Sequence, residues 1–107
     1  MRKVWFVTGA SRGMGAQIAS AVVQAGHRLV ATARRKESLA GIPQSEDALC
    51  LSLDVTIEEQ VNAGVGQTIE QFGQIDVLVN NAGYGLLGAV EETSSKEAKA
   101  SQRYLKF

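Results

Sequence analysis

Thr8-Gly9-Ala10-Ser11-Arg12-Gly13-Met14-Gly15 is the stretch of sequence that decides the fold, since its three glycines separate two different patterns. Residues 3–8 are apolar and rich in β-branched side chains, which predicts a strand. Residues 13–25 carry apolar side chains at helical spacing, and Gly26 follows them as a C-terminal cap. The spacing Gly-x-x-x-Gly-x-Gly therefore lies in a turn from a strand to a helix.

A glycine-rich turn in this position is suited to binding an anion. We expect Gly9 to permit the tight turn, Gly13 to let a bulky anion approach the backbone, and Gly15 to let the helix pack on the sheet. The N–H groups of the first helical turn then face a pyrophosphate, which the helix dipole also attracts. A plain turn without a ligand is the alternative, and the strand-turn-helix context favours binding.

Strands and helices continue to alternate along the rest of the chain. Further strands are predicted at residues 28–33, 48–53 and 75–80, a short helix at 36–41 and a long helix at 56–72. Thr56 and Glu59 fit a capping box at the start of the long helix. Gly64 and Gly66 are expected to cost that helix about 1 kcal/mol each relative to alanine.

The end of the chain is predicted to contain a loop and one more helix. Glycines 83, 85 and 88 indicate the loop. Ser94 and Glu97 fit a second capping box, which predicts a helix that runs to the end. The whole order, strands alternating with helices, predicts an α/β fold with a parallel sheet and right-handed crossovers.

Composition and charge limit the class of protein. The chain has 107 residues, 45% hydrophobic and 21% charged, which suits one globular domain. One cysteine rules out an intrachain disulfide, and no apolar run approaches the roughly 20 residues of a membrane span. Because the formal net charge is zero, we expect neither a nucleic-acid nor a membrane partner. A single cysteine fits a reducing compartment, so we expect a cytoplasmic location.

The basic residues are concentrated near the start of the chain. Residues 1–36 hold seven Lys or Arg side chains and no acid. An NAD-binding fold usually has an acid at the end of its second strand, where this chain has Arg34, Arg35 and Lys36. Arg34 is the best candidate to bind a ribose 2′-phosphate, with Arg12 opposite and Arg35 as a second choice, so we predict NADP(H) in preference to NAD(H). A solvated basic face is the alternative.

Three motifs together resemble the short-chain dehydrogenase/reductase family over residues 1 to about 95: the glycine turn, Asp54-Val55 and Asn80-Asn81-Ala82-Gly83. The resemblance implies a Rossmann-like sheet in the order 3-2-1-4 with helices on both faces. It implies that Asp54 and Val55 lie near the adenine, and that residues 80–83 line the cofactor ribose. A helix-entry role for Asp54, and backbone pairing by Asn80, are alternatives that hold alongside these roles.

The same resemblance implies an oxidoreductase that transfers hydride between a nicotinamide and a carbonyl or secondary alcohol. Its catalytic serine and Tyr-x-x-x-Lys pair have no counterpart in these residues, so no catalytic residue is assigned. Tyr104 and Lys106 would be about 200° apart on a helix. We read His27 as exposed in a turn and Cys50 as a core residue, and no cluster has metal-ligand spacing.

We therefore expect residues 1–107 to be a single dinucleotide-binding domain, incomplete relative to the family. A catalytically inactive cofactor-binding module and a nonfunctional fragment are the alternatives. Without a fifth strand, the strand at 75–80 is expected to form an exposed edge. That edge would pair with a second copy of the chain or be covered by the C-terminal helix.

Overall fold

The computed structural model of the chain describes residues 2–80 and 103–106. These residues form one sheet with the strand order β3-β2-β1-β4-β5, and every neighbouring pair is parallel. The strands are β1 (Val4–Val7), β2 (Arg28–Ala33), β3 (Ala48–Ser52), β4 (Val77–Asn80) and β5 (Arg103–Lys106). The helices are α1 (Gly13–Gln24), α2 (Glu58–Phe72) and a short 3₁₀ helix (Lys36–Leu39).

Apolar side chains cover both faces of the sheet, as continuous apolar strands require. The core layer on the side of α1 includes Val7, Leu29, Ala31, Cys50 and Val79 with Ala19 and Val22. The layer on the side of α2 includes Val4, Phe6, Val30 and Leu78 with Val61 and Val65. The predicted helices on both faces, the order 3-2-1-4 of the first four strands and the core position of Cys50 are confirmed.

The end of the chain differs from the prediction. Residues 103–106 form β5, parallel to β4 with Leu78 opposite Tyr104, so the helix predicted to run to the end is wrong. A strand at this position satisfies backbone N–H and C=O groups of β4 that a helix would leave unpaired. The argument from helical angles for Tyr104 and Lys106 therefore does not apply. The predicted loop at glycines 83, 85 and 88 and the Ser94–Glu97 capping box lie outside the described residues.

The pairing of β5 also corrects the expectation of an exposed edge. Strand β4 lies between β1 and β5, with Val77 opposite Trp5 on one side and Arg103 on the other. Its backbone groups are therefore used within the chain. Self-association through an exposed fourth strand loses its structural basis.

The start of α2 is a second correction. The helix begins at Glu58, and no side chain caps it from the N-cap residue Ile57, so the Thr56–Glu59 capping box does not form. The Thr56 hydroxyl instead donates a hydrogen bond to the Asp54 carboxylate. Glu58 and Glu59 lie in the first turn, where negative charge interacts favourably with the helix dipole.

His27 holds two strands together, so its expected role as an exposed turn residue is wrong. The side chain is half-buried, and its Nδ1 accepts a hydrogen bond from the Lys3 backbone N–H at 2.9 Å. The imidazole lies 6.3 Å from the Trp5 ring, centre to centre. The backbone N–H of Arg28 donates to the Lys3 carbonyl at 2.9 Å. These contacts join the start of β1 to the start of β2.

Asp47 adds an ionic link at the same edge of the sheet. Its carboxylate lies 2.6 Å from the Arg2 guanidinium and 3.5 Å from Arg28 Nε. The hydrogen bond from Arg2 is the main reason that the pKa of Asp47 is lowered, and the charge of Arg28 adds to it. The link therefore depends on an ionised carboxylate.

Gly64 lies where α2 packs against Leu53, the residue that follows β3. A Cβ atom at this position would stand 2.6 Å from Leu53 Cδ1, and Leu53 is only 2% exposed. A Cβ at Gly66 would meet nothing within 4 Å. Both glycines make α2 less stable than alanine would. Of the two, only Gly64 lets the helix approach the sheet closely, because a side chain there would meet Leu53.

The two glycines of α2 give a matched test. Gly66→Ala should raise the free energy of unfolding by about 1 kcal/mol, because it removes the helix penalty without steric cost. Gly64→Ala should lower it, because buried Leu53 must move away from the added methyl. Urea unfolding of both variants measures the difference. Equal stabilisation by the two substitutions would show that α2 does not approach Leu53 this closely.

Acid should weaken the Asp47 link. Because the folded-state pKa of Asp47 is lowered, its stabilisation is present above the unfolded-state pKa of about 4 and disappears as the pH falls through the lower folded-state pKa. We expect Asp47→Asn to lose stability at pH 7 and to show a shallower decrease in melting temperature from pH 5 to pH 2. The control is Glu46→Gln, since the described residues show no ion pair at Glu46. Parallel pH profiles for wild type and Asp47→Asn would contradict this prediction.

Candidate functional site

The turn that leaves β1 is held between two neighbouring strands. The backbone N–H of Thr8 donates to the Val79 carbonyl at 3.0 Å, and that of Ala10 donates to the Thr32 carbonyl at 3.0 Å. The Thr8 hydroxyl donates to the same Val79 carbonyl at 3.3 Å. The turn is therefore fixed at the carboxyl edge of the sheet, where ligands of open parallel sheets bind.

The backbone of this turn requires glycine at two positions. Gly9 has φ +61° and Gly13 has φ +64°, the left-handed region that other residues rarely adopt. Gly13 is the first residue of α1, and a Cβ there would meet nothing within 4 Å, so the space beside it is open. Gly15 is buried, as expected for a residue that lets the helix pack closely.

The N-terminus of α1 carries no side-chain cap. Arg12 is its N-cap residue and makes no capping hydrogen bond, and the first turn contains no acid. The side chains of Ser11, Arg12 and Met14 are exposed around it. An uncapped helix start at an open edge presents N–H donors and a positive dipole end to an anion.

A small cleft of about 120 Å³ opens beside the glycine turn, at the ends of β1, β2 and β3. Its lining residues are Thr8, Gly9, Thr32, Ala33, Arg34, Leu53 and Val55. Ala33, Leu53 and Val55 supply apolar surface, and exposed Arg34 supplies a cation. Apolar walls beside a guanidinium suit a flat aromatic group that carries an anion.

The segment after β2 is fixed by its backbone while its cations remain exposed. The Arg35 carbonyl accepts hydrogen bonds from the Ser38 N–H at 3.0 Å and the Ser38 hydroxyl at 2.6 Å. The Lys36 N–H donates to the Ser52 hydroxyl at 2.9 Å. Arg34 and Arg35 therefore project from an anchored backbone, and both side chains are exposed, like that of Arg12.

Asp54 forms hydrogen bonds with Thr56 and Gln60, two partners that the sequence analysis did not predict. Its Oδ1 accepts hydrogen bonds from the Thr56 hydroxyl at 2.6 Å and the Thr56 N–H at 2.9 Å, and its N–H donates to Gln60 Oε1 at 2.8 Å. The Thr56 hydroxyl is the main cause of the lowered pKa of Asp54, followed by the Thr56 N–H, with the charge of Arg34 adding to both. The helix-entry role of Asp54 is thus observed. The Asp-x-Thr spacing of an Asx turn was the available signal.

Asn80 ends β4 and is buried, with 4% of its surface exposed. The other three residues of its motif, Asn81, Ala82 and Gly83, lie outside the described residues. The structure therefore places Asn80 at the same carboxyl edge as the glycine turn, one strand away from it.

Two other kinds of site, a metal centre and a membrane-spanning helix, are absent from the described part of the chain. Residues 2–80 bring together no group of three or more His, Cys, Asp or Glu side chains that would hold a metal ion. Neither of the long helices α1 and α2 has the length and apolar character to cross a bilayer.

Comparison with known proteins gives consistent matches over most of the chain. A family profile described as short chain dehydrogenase matches residues 3–104. Oxidoreductase BOA17 of Botryotinia fuckeliana is 44% identical over 95 residues, which cover 86% of this chain and 35% of that protein. A short-chain dehydrogenase structure from Streptomyces avermitilis superposes with a TM-score of 0.84 and 32% identity, covering 99% of this chain and 49% of that one.

Two further solved structures contain a cofactor. The 3-ketoacyl-(acyl-carrier-protein) reductase from Brucella melitensis, complexed with NADH, has a TM-score of 0.69 and 33% identity over 75% of this chain and 34% of its own. ElxO with NADP bound has a TM-score of 0.84 and 25% identity over 99% of this chain and 55% of its own. This chain spans about a third of the length of the curated relative described above and about half of the Streptomyces structure.

The backbone requirement at Gly13 can be measured. Gly13→Ala should lower the free energy of unfolding by about 1–2 kcal/mol, because alanine is strained at φ +64°. Gly41→Ala is the control, since a Cβ there meets nothing within 4 Å and its φ is not in the left-handed region. Thermal unfolding compares the two. A Gly13→Ala protein as stable as the control would mean that the turn does not need this conformation.

Proposed function

The chain belongs to the short-chain dehydrogenase family, and on that premise we propose that residues 1–107 form the dinucleotide-binding domain of an oxidoreductase. In the whole protein, hydride passes between the nicotinamide of the cofactor and a carbonyl or secondary alcohol. The observation that supports this most directly is the uncapped N-terminus of α1 beside the cleft at the carboxyl edge of the sheet. A cytoplasmic location stays a prediction.

The residues present fit the diphosphate of such a cofactor. Gly9 and Gly13 hold the turn in a left-handed backbone conformation, and the N-cap residue Arg12 makes no side-chain hydrogen bond to the start of α1. The N–H groups of the first turn would bind the phosphate oxygens, helped by the helix dipole. Ser11, Arg12 and Met14 are exposed around this point and complete the proposed contact.

The adenosine end would lie in the cleft between the ends of β2 and β3. Ala33, Leu53 and Val55 provide apolar surface for the base. Arg34 at the cleft would bind a 2′-phosphate, with Arg35 next to it in sequence and Arg12 in the glycine turn as further exposed cations, so NADP(H) is preferred over NAD(H). No acid lies in residues 31–36 to accept a hydrogen bond from a free 2′-hydroxyl.

The nicotinamide end would lie toward β4. There Asn80, together with Asn81, Ala82 and Gly83, would line the ribose, and Asn80 ends the strand next to β1. The bound cofactor supplies the hydride, while these residues bind and orient it. A second candidate function for these residues is cofactor binding without turnover, which the same uncapped helix start and cleft would support.

Cofactor preference tests the proposal. The wild-type chain should bind NADPH about tenfold more tightly than NADH, because a guanidinium-phosphate contact adds a charge-assisted hydrogen bond. Arg34→Ala should remove most of that preference with little effect on NADH. Fluorescence titration of the wild type and of Arg34→Ala with NADPH and with NADH measures the four dissociation constants.

Lys3→Ala is the matched control, since it removes one positive charge at the opposite edge of the sheet and should keep the preference. Tighter binding of NADH than of NADPH by the wild type would end the proposed preference. A turnover assay on a panel of carbonyl compounds then separates the two functions. Cofactor binding with turnover supports the oxidoreductase, and cofactor binding without turnover supports the cofactor-binding module. If the chain neither binds a cofactor nor turns over a substrate, both proposed functions are contradicted.

A further inference from the structure

A second and larger pocket opens beside α1. It has a volume of about 390 Å³, against about 120 Å³ for the cleft, and the two share no lining residue. One wall is α1, from Ala16 to Gln24, and the other is the segment from Ser38 to Pro43, while the glycine turn contributes Ala10 and Ser11. We call this space the α1 pocket.

The α1 pocket has an apolar floor and two walls that are not joined. Ala19 and Leu39 belong to the core layer on the α1 side and are 1% and 3% exposed. Gly41 lines the wall opposite α1, and a Cβ there would meet nothing within 4 Å. The described residues show no hydrogen bond or ion pair between α1 and residues 38–43. A molecule in the pocket would therefore touch both walls and link them.

Polar side chains without charge surround this floor. Gln24 Nε2 donates to Ser20 Oγ at 3.3 Å, which leaves the Gln24 amide oxygen to accept a further hydrogen bond. The Ser38 hydroxyl donates to the Arg35 carbonyl at 2.6 Å, so its oxygen also remains an acceptor. Ser11 is the remaining polar residue of the lining, and no charged residue belongs to it. The lining therefore offers hydrogen bonds but no ion pair.

We propose that the α1 pocket binds a small neutral molecule that has an apolar body and a hydroxyl or amide group. Its volume lies within the range of roughly 300–1,000 Å³ that is usual for small-molecule sites, and a few polar groups around apolar surface are typical of them. A charged ligand would lose hydration there without gaining a partner of opposite charge. This inference goes beyond the proposed function, because it does not require that the chain bind a dinucleotide.

The test is a titration of the full, isotope-labelled chain with 1-naphthalenemethanol, followed through the amide chemical shifts in NMR spectra. This probe is neutral and carries one hydroxyl, and its size of about a dozen non-hydrogen atoms predicts a Kd of about 0.1–1 mM. The amides of α1 and of residues 38–43 should shift. Two probes of similar shape, anionic 1-naphthoate and cationic 1-naphthylmethylammonium, should bind at least about tenfold more weakly.

Filling the pocket from either wall should prevent binding. Ala16→Leu fills it from α1, and Gly41→Leu fills it from the opposite wall at a position whose φ is not in the left-handed region. Each should weaken binding of 1-naphthalenemethanol by at least about tenfold, because the space is then occupied. Ala21→Leu is the matched control, since Ala21 is exposed on the same helix and does not line the pocket. Thermal unfolding checks that each variant is folded, and either filled variant alone is sufficient.

The outcomes decide between this site and the cleft. Saturable shifts at α1 and residues 38–43, lost in a folded filled variant and kept in Ala21→Leu, support the proposal. Shifts centred on Arg34, Leu53 and Val55 would place the probe in the cleft and overturn it. Equal affinity for the charged probes, wild-type affinity in a filled variant, or no saturable shift would also overturn it. Cofactor binding is measured by the separate fluorescence titration, so failure of the proposed function and failure of this inference are distinguishable.

Discussion

Two backbone hydrogen bonds fix the turn after β1, one from Thr8 to the Val79 carbonyl and one from Ala10 to the Thr32 carbonyl, each at 3.0 Å. They tie the glycine turn to β4 and to β2. The start of α1 and the cleft therefore have fixed positions relative to the sheet. The two bonds hold the turn through its backbone, and the Thr8 hydroxyl adds a third bond to the Val79 carbonyl, so the turn has a fixed place at the carboxyl edge, where ligands of open parallel sheets bind.

Much of this architecture is readable from local patterns. Strand β2 has the predicted bounds, residues 28–33. Gly26 precedes this apolar run and the cations at 34–36 follow it, so the sequence indicates both ends of the strand. The left-handed backbone at Gly9 and Gly13 agrees with a turn that only glycine tolerates. The cofactor role of the residues around that turn stays a prediction, since it depends on a ligand.

The predictions from sequence are wrong where one residue fits two local patterns, or where the residue's partner is distant in sequence. Thr56 fits both a capping box with Glu59 and an Asx turn with Asp54. The Asx turn forms, because the hydroxyl then donates to a charged carboxylate at 2.6 Å, a stronger bond than a hydroxyl accepting from a backbone N–H. His27 bonds to Lys3, 24 residues away, and β5 pairs with β4, so neither was visible as a local pattern.

Leu53 belongs to two environments at once. Its side chain is part of the core between the sheet and α2, and it also lines the cleft. Since a Cβ at residue 64 would stand 2.6 Å from Leu53 Cδ1, added volume on the inner surface of α2 would displace a side chain that also lines the cleft. Residues 53 and 64 should therefore vary together during evolution, with a bulkier helix residue accompanied by a smaller one at the end of the strand.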